Sequence, residues 1–246
     1  RRLATVSGAE GAQTVEFDVL VLSPGVLHRR AGGLEVLRGG RDVMPFATLE
    51  DAEALRARLE EEHPPREIVV IGSGYVGAEV SAALAARDPR FRVTLYGPEL
   101  LPGCEPHNQQ RTHVRLDALG VVRKCGRVEA VGKGSVSWRP SPSAPLERQT
   151  CDLAIVTGAA AAAPAECVVE PNPEKGATDK ERNHAGRLKV DDYMRIAPGV
   201  YCIGDAAQAG GKATGQAAME QADIAAWNIF AQLTGVRRTR WRQYSP

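Results

Sequence analysis

The chain has 246 residues, 43% hydrophobic and 25% charged, with a formal net charge of +1. That is ordinary globular composition, with room for one large domain or two small ones. Near-neutrality gives no reason to expect nucleic acid or an anionic membrane as main partner, and no apolar run is long enough to span a bilayer, since Leu153 to Ala165 is mostly alanine interrupted by Gly158 and Pro164.

Leu3 to Val6 reads as a short strand, Ser7 to Gly11 as a turn, and Thr14 to Leu22 as a strand ending at Ser23-Pro24-Gly25. His28 to Arg41 is rich in glycine and arginine and reads as loop. Thr48 is a good N-cap, and Glu50 and Asp51 suit the first turn of the helix that follows. Ala52, Leu55 and Leu59 give that helix one apolar stripe, and His63-Pro64-Pro65 stops it like a linker. Glu67 to Ile71 is a buried strand by its β-branched run, followed by a helix from Val76 to Arg87 with Val76, Val80, Ala83 and Leu84 on one face. Arg92 to Tyr96 is the next strand, and a helix runs from about Asn108 to Leu119 with Gly120 as C-cap. Short strands are expected at Val128 to Val131 and Ser135 to Trp138, a loop at Arg139 to Leu146, and a buried strand at Cys151 to Val156. Pro164 to Gly186 is polar and reads as a loop or insertion. Val200 to Ile203 is a strand before Gly204-Asp205, and a helix from about Gln216 to Leu233 stops at Gly235. Strands alternating with helices argue for α/β architecture with parallel sheets.

Cys104, Cys125, Cys151, Cys167 and Cys202 are odd in number and include no CxxC pair, which fits reduced structural thiols in an intracellular protein. The five histidines lack metal-ligand spacing, so no metal is expected.

Three segments carry chemistry. Gly72-Ser73-Gly74-Tyr75-Val76-Gly77 follows a strand and opens a helix, the context that a dinucleotide fingerprint requires. Gly72 permits the tight turn, Gly74 lets backbone approach a pyrophosphate, and Gly77 lets helix pack on strand. The pyrophosphate then meets the free N–H groups and positive dipole of the helix start. The other reading is a tight strand–helix turn with no ligand. Tyr96-Gly97-Pro98 occupies the place of the ribose-selecting residue, with Glu99 just beyond. No arginine cluster lies there, which favours NADH over NADPH. Second, Phe17 to Gly25 echoes Cys151 to Gly158: each is an aspartate within a strand ending in a glycine turn, at Ser23-Pro24-Gly25 and Thr157-Gly158. Two copies suggest two related nucleotide-binding domains, the alternative being two core strands that look alike. Third, Val200 to Asp205 delivers Asp205 at a strand exit, where it can accept from a polyol or simply cap a turn.

In this order the segments resemble the flavoprotein pyridine nucleotide oxidoreductases, the superfamily of disulfide reductases, type II NADH:quinone oxidoreductases and apoptosis-inducing-factor-like proteins. The resemblance implies two Rossmann-like domains that bind FAD and NAD(H) or NADP(H). Phe17 to Gly25 is similar to the family's motif lying against FAD, and Thr48 to Glu60 to its linker helix. Gly72 to Glu79 is similar to its NAD(P)H motif, which places Glu79 towards the nicotinamide, and Gly204-Asp205 to its second FAD motif, where the aspartate holds the ribityl chain. The last helix, with Lys212, Ala222, Ile224-Ala225 and Asn228-Ile229, is similar to that of the apoptosis-inducing-factor-like branch, as is Arg87 to Tyr96. Glu79 and Gln221 are the candidate tuning residues; a helix-dipole carboxylate and a solvated surface residue are the plainer readings.

The implied domains are a partial FAD-binding domain at 1–47 and 187–246, a linker helix at 48–65, an NAD(P)-binding domain at 66–163 and an insertion at 164–186. The pattern also departs from the family. No strand–GxGxxG–helix opens the chain, the sequence stops soon after the last helix, and Pro24 removes a backbone donor from the first FAD turn. A fragment or a degenerate relative is therefore expected. The implied activity is hydride transfer from NAD(P)H to flavin and on to a small-molecule acceptor such as a quinone. The runners-up are a ferredoxin or monodehydroascorbate reductase and, from another class, a non-catalytic NAD(P)-binding module without stable flavin.

Overall fold

A computed structural model describes residues 2–8, 11–28, 35–36, 42–132, 134–157, 160–162, 187–210 and 214–242. The expected insertion at 164–186, and Gly158 and Lys212 among the candidate ligands, lie outside the described residues. By its contacts the chain forms two compact units, Arg1–Leu27 with Ala160–Pro246, and His28–Ala159.

In chain order the elements are β1 (Arg2–Gly8), β2 (Gly11–Phe17), β3 (Leu20–Leu22), β4 (Val26–His28), β5 (Glu35–Val36), β6 (Val43–Pro45), α1 (Leu49–Leu59), β7 (Glu67–Ile71), α2 (Tyr75–Arg87), β8 (Arg92–Gly97) and α3 (Pro106–Ala118). There follow β9 (Val122–Cys125), β10 (Arg127–Gly132), β11 (Ser135–Arg139), β12 (Glu147–Thr150), β13 (Leu153–Val156) and β14 (Ala160–Ala162). The chain closes with β15 (Leu188–Lys189), β16 (Arg195–Ala197), β17 (Val200–Cys202), a 3-10 turn at Gly204–Ala206, β18 (Ala207–Gln208) and α4 (Gly215–Thr234).

The second unit is built on a five-stranded sheet in the order β6-β13-β7-β8-β9, and every pairing in it is parallel. Such a sheet is covered on both faces, so its central strands are apolar throughout and alternate residues serve opposite layers. Ile68, Val70, Val93, Leu95, Leu153 and Ile155 pack in one cluster with Leu55 of α1, Val80 and Leu84 of α2 and Leu116 of α3. Val69, Tyr96 and Ala154 pack in another with Val131, Val136 and Trp138. The second layer is a sheet in the order β12-β11-β10-β5. The Tyr96 and Trp138 rings meet edge to face with centroids 5.2 Å apart, a favoured aromatic geometry. At α1, Thr48 Oγ1 accepts from Asp51 N at 3.2 Å while Asp51 Oδ2 accepts from Thr48 N at 3.1 Å, a reciprocal capping box.

In the first unit β1 and β2 form an antiparallel hairpin from Arg2↔Phe17 to Gly8↔Gly11. β3 lies parallel to β17, which is antiparallel to β16. The core beneath α4 contains Met194, Tyr201, Cys202, Ala206 and Ala225. Asn228 of α4 is fully buried, and its side-chain amide accepts from Thr239 N at 2.8 Å and donates to Thr239 O at 2.8 Å, fastening the segment after the helix. Gly235 takes φ +77° at the helix end, the left-handed stop expected of it.

Several expectations are corrected. The strand expected from Thr14 to Leu22 is two strands, broken at Asp18-Val19, because β2 follows β1 whereas β3 turns to pair with β17. The loop expected at 28–41 includes β5, which pairs with β10. On α2, Val76 and Ala83 face solvent, and the buried face is Gly77, Ala78, Val80, Ser81 and Leu84. β6 is an edge strand of the parallel sheet and Leu55 of α1 belongs to its core, so both lie in the second compact unit.

One fold contact generates a test. Asp152, at the entry to β13, accepts from Arg66 N at 2.8 Å and Glu67 N at 2.9 Å through Oδ2 and so ties down the start of β7. These two N–H groups hold its carboxyl below the usual carboxylate range. The stabilisation is therefore complete above the unfolded value near 3.9 and disappears as pH falls through the lower folded value. Asp152→Asn is expected to lose about 1 kcal/mol, less than a buried charged hydrogen bond contributes because the carboxylate is exposed. Urea unfolding at pH 7 and pH 3 measures this, and the difference between the two proteins should shrink at pH 3.

Candidate functional site

β7 ends at Ile71, and the chain turns at once into α2. Gly72 adopts φ +114°, a conformation that L side chains rarely reach. A Cβ on Gly77 would lie 1.6 Å from Gly72 O and 2.9 Å from Thr157 Oγ1, so only glycine lets the first turn of α2 pack onto the end of β7. Gly74 is different: it is the N-cap of α2 with φ −73° and ψ −171°, and a Cβ there would meet no atom within 4 Å. No side chain caps this helix. The first N–H groups and the positive end of α2 thus face open space across a residue without a side chain, an arrangement suited to a phosphate group.

The turn is held from two sides. Gly72 N donates to Tyr96 O at 2.9 Å, and Thr157 Oγ1 donates to Ile71 O at 3.1 Å and Gly72 O at 3.2 Å. Ser73 is buried; its hydroxyl donates to Glu99 O at 2.5 Å and its carbonyl accepts from Leu101 N at 2.8 Å. A Cβ on Gly97 would lie 1.8 Å from Ser73 Oγ, so β8 must end in glycine. Leu101 sits in the left-handed region at φ +48° with its side chain buried.

The sequence candidates fall into place unevenly. Gly72, Ser73, Gly74, Gly77 and Thr157 form one cradle, with Tyr75 and Val76 exposed at its helix start and the Tyr75 hydroxyl 3.4 Å from Cys104 Sγ. Tyr96 is fully buried, its hydroxyl donates to Gln149 Oε1 at 2.6 Å, and burial pushes its phenol up to about 12. Its ring is core, and only its carbonyl bears on the cradle. Glu99 is exposed, with Oε1 accepting from Gln109 Nε2 at 2.9 Å. Glu79 is exposed at the fifth position of α2, beyond the first turn, where the helix-dipole reading would need it.

The first unit carries a second turn of this kind. Ile203 N donates to Leu22 O at 3.0 Å, which extends the β3–β17 pairing to the strand exits. Gly204 follows at φ +69°, and the position of its missing Cβ lies 3.9 Å from Ser23 Oγ and 3.6 Å from the Ala218 methyl. Ser23, just after β3, thus stands beside the Gly204 turn. Gln221 of α4 is not a surface residue: it is buried, and its Oε1 accepts from Gly204 N at 2.8 Å. Asp205 is half-buried and lines a small cleft with Arg187, Gln208, Thr214 and Gln221. Pro24 and Gly25 lie in the turn after β3, with Gly25 at φ +70°.

The packing role of Gly97, and Leu101, Gln109 and Arg187 altogether, were not read from sequence. Gly97 was findable, as a glycine ending the strand next to a glycine turn. The others carry no local signal.

These features define a two-unit α/β protein of Rossmann type, with a glycine cradle at a helix start in one unit and a polar turn over a cleft in the other. The family described as pyridine nucleotide-disulphide oxidoreductase matches residues 2–227, and the chain belongs to it. Among curated relatives, it is 28% identical over 244 residues to the demethylphylloquinone reductase NdbB of Synechocystis, covering 92% of this chain and 56% of that one. It is 25% identical over 253 residues to the alternative NAD(P)H-ubiquinone oxidoreductase C1 of Arabidopsis thaliana, with 91% and 47% covered. The chain thus spans about half the length of these relatives. Solved structures of the same fold include the ferredoxin reductase for the CYP199A2 system of Rhodopseudomonas palustris, at 23% identity and TM-score 0.64 over 96% of this chain and 56% of that one. The NADH-bound water-forming NADH oxidase of Lactobacillus brevis has TM-score 0.61 at 21% identity, with 94% and 49% covered.

The Gly77 contact yields a stability test. Gly77→Ala forces a methyl into the Gly72 carbonyl and should destabilise the chain by about 2–3 kcal/mol, at the upper end for overpacking because backbone cannot swing aside. Thermal or urea unfolding against the parent chain measures it.

Proposed function

We propose that this chain is the nucleotide-binding part of a FAD-dependent NAD(P)H oxidoreductase, in which hydride passes from NAD(P)H to flavin and electrons continue to a small acceptor such as a quinone. The observation that carries this reading is the Gly72–Gly77 cradle: backbone forced into contact at Gly77, but open space at Gly74 over an uncapped helix start. In it, Gly72, Ser73 and Gly74 with the N–H groups of Tyr75 and Val76 hold the pyrophosphate of NAD(P)H, Glu79 lies towards the nicotinamide, and Glu99 lies towards the ribose.

The first unit fits a flavin through the chemistry of its turn. Asp205 lines the cleft as an acceptor for polyol hydroxyls, and Gln221 keeps the Gly204 turn in shape by taking up its N–H. Ser23 stands beside that turn, and Pro24 and Gly25 follow Ser23 in the chain. Bound flavin supplies the hydride acceptor and the electron carrier, and the protein contributes position and electrostatics, with no side-chain acid or base needed for hydride transfer. A quinone acceptor is supported by the two quinone-reducing relatives. Among the described residues, no helix is long and apolar enough to cross a membrane.

Pro24 favours a second reading. It removes an N–H from the turn that would face the flavin, as a non-catalytic NAD(P)-binding module could tolerate. The visible spectrum of the purified chain separates the two. A flavin spectrum bleached by NADH or NADPH is the expected result; a chain that stays colourless after incubation with FAD overturns the flavoenzyme reading. Asp205→Ala should weaken flavin retention about tenfold, equivalent to about 1.4 kcal/mol, read by ultrafiltration and absorbance. Gly74→Ala should leave the melting temperature unchanged, because the methyl meets no protein atom. It should weaken dinucleotide binding at least tenfold, read by quenching of tryptophan fluorescence.

A further inference from the structure

In sites of this class, the charge at the end of the second strand decides between a free ribose 2′-hydroxyl and a 2′-phosphate. Here β8 cannot offer a side chain at its last position, because a Cβ on Gly97 would strike Ser73. Pro98 follows, and Glu99 is the first charged residue after the strand. Glu99 is tied at both ends. Its carbonyl accepts the Ser73 hydroxyl, which anchors its backbone to the glycine turn. Its carboxylate accepts from Gln109 Nε2 at 2.9 Å.

Gln109 does more than meet Glu99. The same nitrogen lies 3.1 Å from Leu100 O and 3.1 Å from Leu101 O, so one amide draws three successive residues together from α3. Leu101 needs such support, since a residue with a side chain is strained at positive φ. Its N–H in turn donates to Ser73 O. The path therefore runs from Gln109 through the 99–101 loop to the cradle. The cations of the neighbouring strand β9 are engaged elsewhere: Arg123 pairs with Asp117 and meets His113, and Lys124 lies over the rings of Tyr96 and Trp138. Neither is aligned as a ready partner for a 2′-phosphate.

We propose that Gln109 is the positioning residue for nucleotide selectivity: it holds the Glu99 carboxylate beside the glycine turn, where it accepts from the ribose hydroxyls of NADH and repels the 2′-phosphate of NADPH. This rests on the reading of Gly72–Gly77 as a dinucleotide cradle. Gln109 touches no ligand itself and acts through Glu99.

The test is fluorescence titration of the full 246-residue chain with NADH and with NADPH, taking the ratio of the two dissociation constants. The parent chain is expected to favour NADH by about tenfold or more. Glu99→Gln and Gln109→Leu should each bring the ratio to within about threefold, and the double variant should go no further than Glu99→Gln alone, the non-additivity of residues that act as a unit. Gln109→Lys keeps a donor for the two carbonyls but neutralises Glu99, and it should shift the preference towards NADPH. A purely structural role predicts equal weakening for both nucleotides in Gln109→Leu; that unchanged ratio, or no shift in Gln109→Lys, overturns the proposal. A parent chain that prefers NADPH overturns it too, while leaving the cradle reading intact. A parent chain that binds neither nucleotide removes the cradle reading and this proposal together.

Discussion

The absence of a side chain at Gly77 is the constraint from which the second unit's geometry follows. With Gly72 O occupying the place of a Cβ, the start of α2 lies directly on the exit of β7. From the exit of the neighbouring parallel strand β13, Thr157 reaches Ile71 O and Gly72 O with its hydroxyl and holds the turn from the other side. The Gly77 contact also leaves the first N–H groups of α2 facing outwards over Gly74 and not into the sheet. A ligand phosphate can take the place of an N-cap side chain only because this contact has set the direction of the helix.

A second exclusion propagates the order sideways. Ser73 fills the space beside Gly97, and from there its hydroxyl and carbonyl hold Glu99 and Leu101. The loop after β8 is thereby referred to the same origin as the glycine turn. Gln109 completes the circuit from α3, which is itself docked through Leu116 in the core. The strained dihedral of Leu101 persists because hydrogen bonds over-determine it. The first unit repeats the logic with different parts: Gly204 supplies positive φ, Ser23 approaches from the neighbouring parallel strand, and Gln221 takes up the backbone N–H.

Layering explains which residues are excluded from chemistry. In the doubly covered parallel sheet, side chains alternate between the helical layer and the β10–β12 layer. Leu95 points to the helices, so Tyr96 points to Trp138 and Gln149. Cys151 lies in that same layer, where burial pushes its thiol up to about 11, which suits an inert packing residue. An aspartate that looked like part of a ligand motif, Asp152, is occupied by the N–H groups opening β7.

Much of this was legible in the chain itself, wherever the cause is local. Glycines at 72, 74 and 77 between a β-branched run and an amphipathic helix specify the cradle, since φ beyond the reach of L residues and close backbone approach are properties of single positions. The caps at Thr48, Gly120 and Gly235 are local for the same reason. The short strands at 43–45, 122–125 and 147–150 were not legible: they lie at sheet edges, carry proline or polar residues, and are strands only because a neighbour offers a ladder. Tyr96 as core, Gln221 as the partner of Gly204 and Gln109 as a clamp on Leu101 were equally hidden. Each depends on which residue stands opposite across 8 to 53 positions of sequence, and that distance is closed by packing alone.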